Sequence, residues 1–395
     1  MIFNINNIYK ENLKEIEEID KIIEEEGLSL FGAGQYGEFA CEYLLNNNYK
    51  INCFIDNNIS RHGQKINGIN IVSKYSDLAK KSKIVLITAH HAIDEIILEN
   101  KELYKYIISF DKWFIINRFK DFLYLRDNMY DDRSREVLDT LIYSKLYGNK
   151  YLCETIYENN QYFAIPKFNA INVNEVYIDL GAFVGDTIER FIYNMNGIFK
   201  KIYAFEIGID QFRSLNIRVD RLKKEWAINN DNIILVNAGI SNEESEFYIN
   251  GEGVMSSNRL SKIGDSTIKS YSIDNYFNDI PVTFIKADIE GEELNMLKGA
   301  INSIKKYKPK MAISVYHKPD DLLTIPQFIK ELVPEYNLSL RHHSIGFDET
   351  VLYCWTDQTR PDQTRPILIC KEYIYSNNIR IIKKLQPMLQ DQIAA

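Results

Sequence analysis

The sequence has no apolar run near the ~20 residues that a membrane-spanning helix needs, and its start, Met1-Ile-Phe-Asn-Ile-Asn, lacks the basic residues of a signal peptide. A cytoplasmic protein is therefore expected. Cysteine is scarce and unpatterned. Cys41, Cys53, Cys153, Cys354 and Cys370 are odd in number, scattered and nowhere spaced C-x-x-C, which fits packed, reduced thiols better than disulfides or zinc ligands. Positive charge is also in deficit. A net charge of −8 with no local basic cluster offers nothing to a polyanion and excludes nucleic acid as the expected partner. The composition is otherwise that of an ordinary soluble enzyme: 395 residues, 45% hydrophobic and 12% aromatic, are enough for two domains with full cores.

The most informative segment is Val176-Tyr-Ile-Asp-Leu-Gly-Ala-Phe-Val-Gly-Asp-Thr187. An apolar strand runs into a turn carrying Gly181 and Gly185, and helical periodicity resumes from Ile188. A pyrophosphate cradle wants bare N–H groups, whereas Asp179 and Asp186 beside this turn suit a cationic or zwitterionic ligand with hydroxyls, such as S-adenosylmethionine. The next strand, Ile202-Tyr-Ala-Phe-Glu206, ends in an acid roughly 27 residues after Asp179, where a carboxylate can take both ribose hydroxyls of an adenosine. Asn237 and Ala238 end the following strand, where adenine would lie, although a turn-forming asparagine explains Asn237 nearly as well.

Upstream, residues 11–26 place Leu13, Ile16, Ile19, Ile22 and Ile23 on one face of a lead-in helix that Gly27 ends. The strand Leu28-Ser-Leu-Phe31 then meets Gly32-Ala-Gly-Gln-Tyr-Gly37, a helix, and a second strand ending at Asp56. Strand, glycine turn, helix, strand and acid is the order of a dinucleotide fingerprint. A bound nucleotide and a bare scaffold with tightly packed glycines are both open. Residues 119–168 read as a helical connector, and Ser245 to Ser272 as a β-hairpin insertion. The duplicated Asp357-Gln-Thr-Arg-Pro and Asp362-Gln-Thr-Arg-Pro reads as a surface loop.

Asp179 to Thr187, Tyr203 to Glu206 and, above all, Phe284-Ile-Lys-Ala-Asp-Ile-Glu-Gly-Glu-Glu-Leu-Asn-Met-Leu-Lys-Gly-Ala300 resemble the FkbM family of S-adenosylmethionine-dependent methyltransferases. Ile207 departs from the proline usual after the ribose acid. Ser29 to Asn70 is similar to the small nucleotide-binding domain that fronts sugar O-acyltransferases. The resemblance implies two doubly wound Rossmann-like domains, the second a class I methyltransferase fold with a hairpin insertion. The boundaries expected are 1–26 for the lead-in helix, 27–118 for the first domain, 119–168 for the connector, 169–375 for the second domain and 376–395 for a tail. It also implies O-methylation of a sugar hydroxyl in a surface glycan or a nucleotide-linked precursor, with polyketide and lipid hydroxyls left open.

Asp179, Gly181, Ala182, Gly185, Asp186, Thr187, Glu206, Asn237, Ala238 and Asp288 are the expected cofactor residues. Gly32, Gly34, Gln35, Tyr36, Gly37 and Asp56 would hold a nucleotide or nucleotide-sugar in the first domain. Asp288 ends a strand aimed at the sulfonium, and Glu290 lies on the same side if the backbone stays extended. With His317 as candidate base, these form the catalytic set. Ser256, Ser257, His317, His342 and His343 are the acceptor-side candidates. Two acids fall short of the six or so oxygens a hard cation needs, so no metal is assigned. Two rivals compete: an NAD-dependent oxidoreductase on the Gly32–Gly37 loop, which lacks a nearby Tyr-x-x-x-Lys, and a non-catalytic nucleotide-sugar sensor. A homo-oligomer is left open.

Overall fold

The computed structural model describes residues 5–250, 259–261 and 266–357. Ser256, Ser257, Cys370, most of the duplicated repeat and the tail 376–395 lie outside the described residues. The described residues up to Trp355 form one compact unit.

The lead-in helix Ile5–Glu26 buries Ile8, Ile16, Ile19 and Ile23, and Trp113 Nε1 donates to its Asp20 at 2.7 Å. Gly27, at φ +83°, lets the chain turn directly into the first strand. That sheet comprises Leu28–Phe31 (β1), Ile51–Ile55 (β2), Lys65–Ile66 (β3), Ile69–Val72 (β4), Ile84–Ile87 (β5) and Tyr106–Ser109 (β6), in the order β3-β4-β2-β1-β5-β6. All neighbours are parallel except β3 and β4. β1 and β5 are buried at every position, as continuous apolar strands covered on both faces must be.

The second sheet contains Val176–Leu180 (β7), Lys201–Phe205 (β8) and Ile233–Val236 (β9). An accessory sheet follows from Gly239–Ile240 (β10), Ser245–Asn250 (β11), Arg259–Ser261 (β12) and Ser266–Tyr271 (β13), ordered β10-β13-β11-β12. The expected hairpin is its antiparallel pair β11 and β13. Phe284–Ala287 (β14), Lys310–Ser314 (β15), Asn337–His342 (β16) and Thr350–Trp355 (β17) complete the main sheet, ordered β16-β17-β15-β14-β7-β8-β9. Only β17 runs against its neighbours β15 and β16.

The connector's helix Asp132–Leu146 docks on the edge strand β16, and the helix Phe119–Asp127 packs against it. Asp131 caps the helix Asp132–Leu146 by accepting from Ser134 N at 2.7 Å, and it also meets Arg341 at 3.1 Å and accepts from Ser339 at 2.7 Å on β16. The functional side chains come from the carboxyl ends of β7, β8, β14 and β15, the edge where parallel α/β sheets bind ligands.

Candidate active site

The turn after β7 is held by the end of β8. Gly181 and Ala182 donate their N–H groups to Phe205 O at 3.1 and 2.9 Å, and Phe183 N donates to Glu206 Oε2 at 2.8 Å. Gly181, at φ +73°, turns beside β14 so tightly that a Cβ would stand 1.9 Å from Asp288 O. Its freedom serves chain against chain as much as chain against ligand. Gly185, at φ +85°, packs on Leu215 and opens the helix Asp186–Asn194. Glu206 is 7% exposed, and its second oxygen accepts from Gly208 N at 2.7 Å. Burial raises its pKa against the pull of these two N–H groups. Each oxygen keeps a lone pair for another donor. Asn237 is the turn former: its Nδ2 donates to Glu206 O at 2.7 Å and Ile207 O at 3.2 Å, and it stays out of the cavity that Ala238 lines.

Asp179 does not face the cavity, contrary to expectation. It is fully buried, with Oδ1 3.0 Å from Lys286 Nζ, because β7 and β14 place the two residues in register. Lys286 Nζ also donates to Leu180 O at 3.1 Å and Gly181 O at 2.7 Å, so Asp179 acts on the glycine turn through this lysine. Burial pushes Asp179 up to about 6; burial would lower Lys286, but Asp179 and Asp288 hold it above its usual value. A lysine inside an apolar strand was the sequence signal for this pair.

Asp288, Glu290 and His317 do converge, though not as an extended strand would arrange them. Glu290 has φ +57° and Gly291 φ +97°, so a turn, not extended backbone, brings Glu290 beside Asp288. Tyr162 Oη donates to Asp288 Oδ2 at 2.6 Å. His317 Nε2 lies 3.4 Å from Asp288 Oδ1 and 3.9 Å from Glu290 Oε2, while Nδ1 is 3.0 Å from Glu293 Oε1. Burial would lower the imidazole's pKa, but these three acids raise it to about 10. Pairing with these acids favours the protonated ring, which works against the role of base expected of His317. Burial pushes Glu290 up to about 7. Burial would raise Asp288 too, but His317, Lys286 and Tyr162 hold it below the usual carboxylate value.

His342 and His343 face away from this cluster. His342 is fully buried between Thr350 Oγ1 and Gly346 O, each at 2.9 Å, and burial lowers its pKa to about 4. His343 bridges Glu158 O at 2.7 Å and Tyr353 Oη at 3.1 Å. Both are structural, since neighbouring strands and loops satisfy both ring nitrogens.

The first-domain glycines divide between packing and the same cavity. A Cβ at Gly37 would stand 2.2 Å from Gly32 O, so Gly37 serves close helix–strand contact. Asp56 accepts from Ala33 N and Asn58 N, each at 2.8 Å, and Arg61 donates to Ala33 O. Each Asp56 oxygen thus meets a backbone N–H, as the Glu206 oxygens do. Gln35 and Tyr36 instead line the cavity at the carboxyl ends of β7, β8 and β14, with Phe39 and His90, and Gln35 Nε2 donates to Glu290 Oε2 at 3.2 Å. Behind them Asp111 accepts from Tyr36 Oη at 2.7 Å and lies 2.6 Å from His90 Nε2.

The cavity so enclosed measures about 630 Å³. Gly181, Asp186, Thr187, Glu206, Ala238, Asp288, Glu290 and His317 line it, as do Lys286, Tyr162, Tyr316 and Glu349, which no sequence motif singles out as site residues. Tyrosines and an acid from distant loops carry no spacing signal.

Residues 179–337 match the family described as the methyltransferase FkbM domain. The fold resembles that of methyltransferase FkbM from Methylobacillus flagellatus KT, with TM-score 0.52 and 21% identity over 83% of this chain and 89% of that one. Fainter likenesses include an rRNA methylase from Streptococcus thermophilus, with TM-score 0.32 and 15% identity over 48% of this chain and 90% of that one. Aeropyrum pernix fibrillarin, solved with natively bound S-adenosyl-L-methionine, gives TM-score 0.28 and 12% identity over 47% of this chain and 67% of that one. No curated protein matches. The match to the FkbM methyltransferase domain thus covers residues 179–337, from the end of β7 to the start of β16.

Proposed function

We propose that the cavity binds S-adenosylmethionine and transfers its methyl group to a hydroxyl of a sugar, in a surface glycan or its nucleotide-linked precursor. The observation that carries this reading is Glu206, a nearly buried carboxylate at the end of β8 with free lone pairs facing a cavity that the β7 glycine turn also lines. In this reading Glu206 takes the two ribose hydroxyls, and Phe205, Ile207, Ala238 and Ile240 supply apolar walls for adenine. Asp186 meets the amino group of the methionine end, and Lys286 with Asp179 fixes the turn beneath it.

The sulfonium then points to the carboxylates at the end of β14, where negative charge stabilises it. The acceptor enters against the first-domain wall of Gln35, Tyr36, Phe39 and His90, whose aromatic faces suit a sugar ring. Its oxygen forms a bond to the methyl carbon as the carbon–sulfur bond breaks, with the electron pair staying on sulfur. The hydroxyl proton leaves through the cavity carboxylates to water. Most of the catalysis is positioning, because the sulfonium is already a good leaving group.

Calorimetry with S-adenosylmethionine, NAD and a UDP-sugar tests this against the oxidoreductase and sensor readings. Binding of S-adenosylmethionine without NAD supports it; tight NAD binding with no S-adenosylmethionine binding sinks it.

A further inference from the structure

Asp288, Glu293 and His317 each offer a ligand atom within 4.8 Å of the others. They come from the β14 turn, the helix Glu293–Lys298 that follows it, and the end of β15. Two of these groups are left incomplete by the protein. The His317 side chain is 5% exposed, yet Nε2 has no hydrogen-bond partner, its nearest acids being Asp288 at 3.4 Å and Glu290 at 3.9 Å. Glu293 is fully buried; Oε1 accepts from Ile289 N at 2.8 Å, while Oε2 has no hydrogen-bond partner. Buried polar atoms without partners are rare and call for an explanation.

We propose that Asp288, Glu293 and His317 hold a divalent transition-metal ion in the cavity, with Glu290 as a further oxygen donor from its turn. One imidazole with several carboxylates suits a first-row ion such as Mn²⁺ better than Mg²⁺, which prefers an all-oxygen octahedron. The ion replaces the proton on His317, as coordination through an imidazole nitrogen requires. The surroundings suit ligands: Tyr162 occupies the other Asp288 oxygen, and Gln35 orients Glu290. Its remaining coordination positions open to the cavity, where they would hold the acceptor hydroxyl and favour its deprotonation. This role rests on the methyl-transfer reading, but the metal site itself does not.

The test is titration of Mn²⁺ into the chelator-stripped full chain, followed by electron paramagnetic resonance and thermal melting, with S-adenosylhomocysteine binding measured in parallel. One bound Mn²⁺ per chain and a rise in melting temperature are expected, with Mg²⁺ binding more weakly. His317→Gln and Glu290→Gln should each weaken Mn²⁺ by about tenfold or more. A wild-type chain that binds S-adenosylhomocysteine but neither takes up Mn²⁺ nor gains stability overturns the metal site alone and leaves an imidazolium among carboxylates. Absence of S-adenosylhomocysteine binding instead overturns the methyl-transfer reading. Undiminished Mn²⁺ binding in both folded variants would place the ion elsewhere and also defeat the proposal.

Discussion

A side chain at Gly181 would put its first carbon 1.9 Å from the carbonyl oxygen of Asp288. The ends of β7 and β14 meet there with only a hydrogen between them, and the backbone stands at φ +73°. Gly181→Ala therefore has to force the two strand ends apart as well as adopt a strained conformation. Chemical denaturation should show a loss of at least about 3 kcal/mol, with binding of S-adenosylhomocysteine abolished. A variant of wild-type stability would mean that the strand ends separate freely.

Glu206 offers a graded test of the ribose assignment. Hydrogen bonds to a charged group are worth about 1.5–3 kcal/mol each, so losing two should weaken S-adenosylhomocysteine binding on the order of 100-fold or more in Glu206→Ala. Glu206→Gln keeps an acceptor oxygen and should fall between. Calorimetry that finds all three proteins equal would remove Glu206 from the site.

The Lys286–Asp179 pair is buried on both sides, so removing one partner should hurt more than removing both. Lys286→Met is expected to cost roughly 3–5 kcal/mol, since it strands the Asp179 charge. Adding Asp179→Leu should recover part of that loss, with a coupling of about 2 kcal/mol in a double-mutant cycle. Strictly additive losses would show that the two side chains do not stabilise each other.

His342 predicts a pH dependence. Its folded pKa of about 4 lies below the ordinary value of 6.5, because the buried ring would have to be protonated between Thr350 and Gly346. The neutral ring's contribution is complete above pH 6.5 and is lost as pH falls towards 4, because the unfolded chain takes up the proton first. At about 1.4 kcal/mol per unit, the depression amounts to some 3 kcal/mol. The stability gap between wild type and His342→Gln, read from urea midpoints, should narrow by that order between neutral pH and pH 4. A constant gap would show that the ring titrates normally in the folded protein.

The elements legible in the sequence were those written locally. The apolar runs of β1, β5, β7 and β14, the turns at Gly181 and Gly185, and the acid closing β8 depend on residues a few positions apart. What could not be read was set by distant packing. Gln35 reaches Glu290 across 255 positions. Asp179 meets Lys286 only because β7 and β14 align, and Asp56 closes on Ala33 through its own loop. Paired histidines at a strand end look functional until β17 and the connector supply their partners. Glu290 reached the cavity by a turn with positive φ, a conformation its residue type does not announce.

The most direct test is the structure of the chain with S-adenosylhomocysteine. The account predicts the ribose hydroxyls on Glu206, adenine between Phe205 and Ala238, and sulfur facing Asp288, with open space leading to Gln35 and Tyr36. A ligand seated in the Gly32–Gly37 loop, or a ribose far from Glu206, would contradict it.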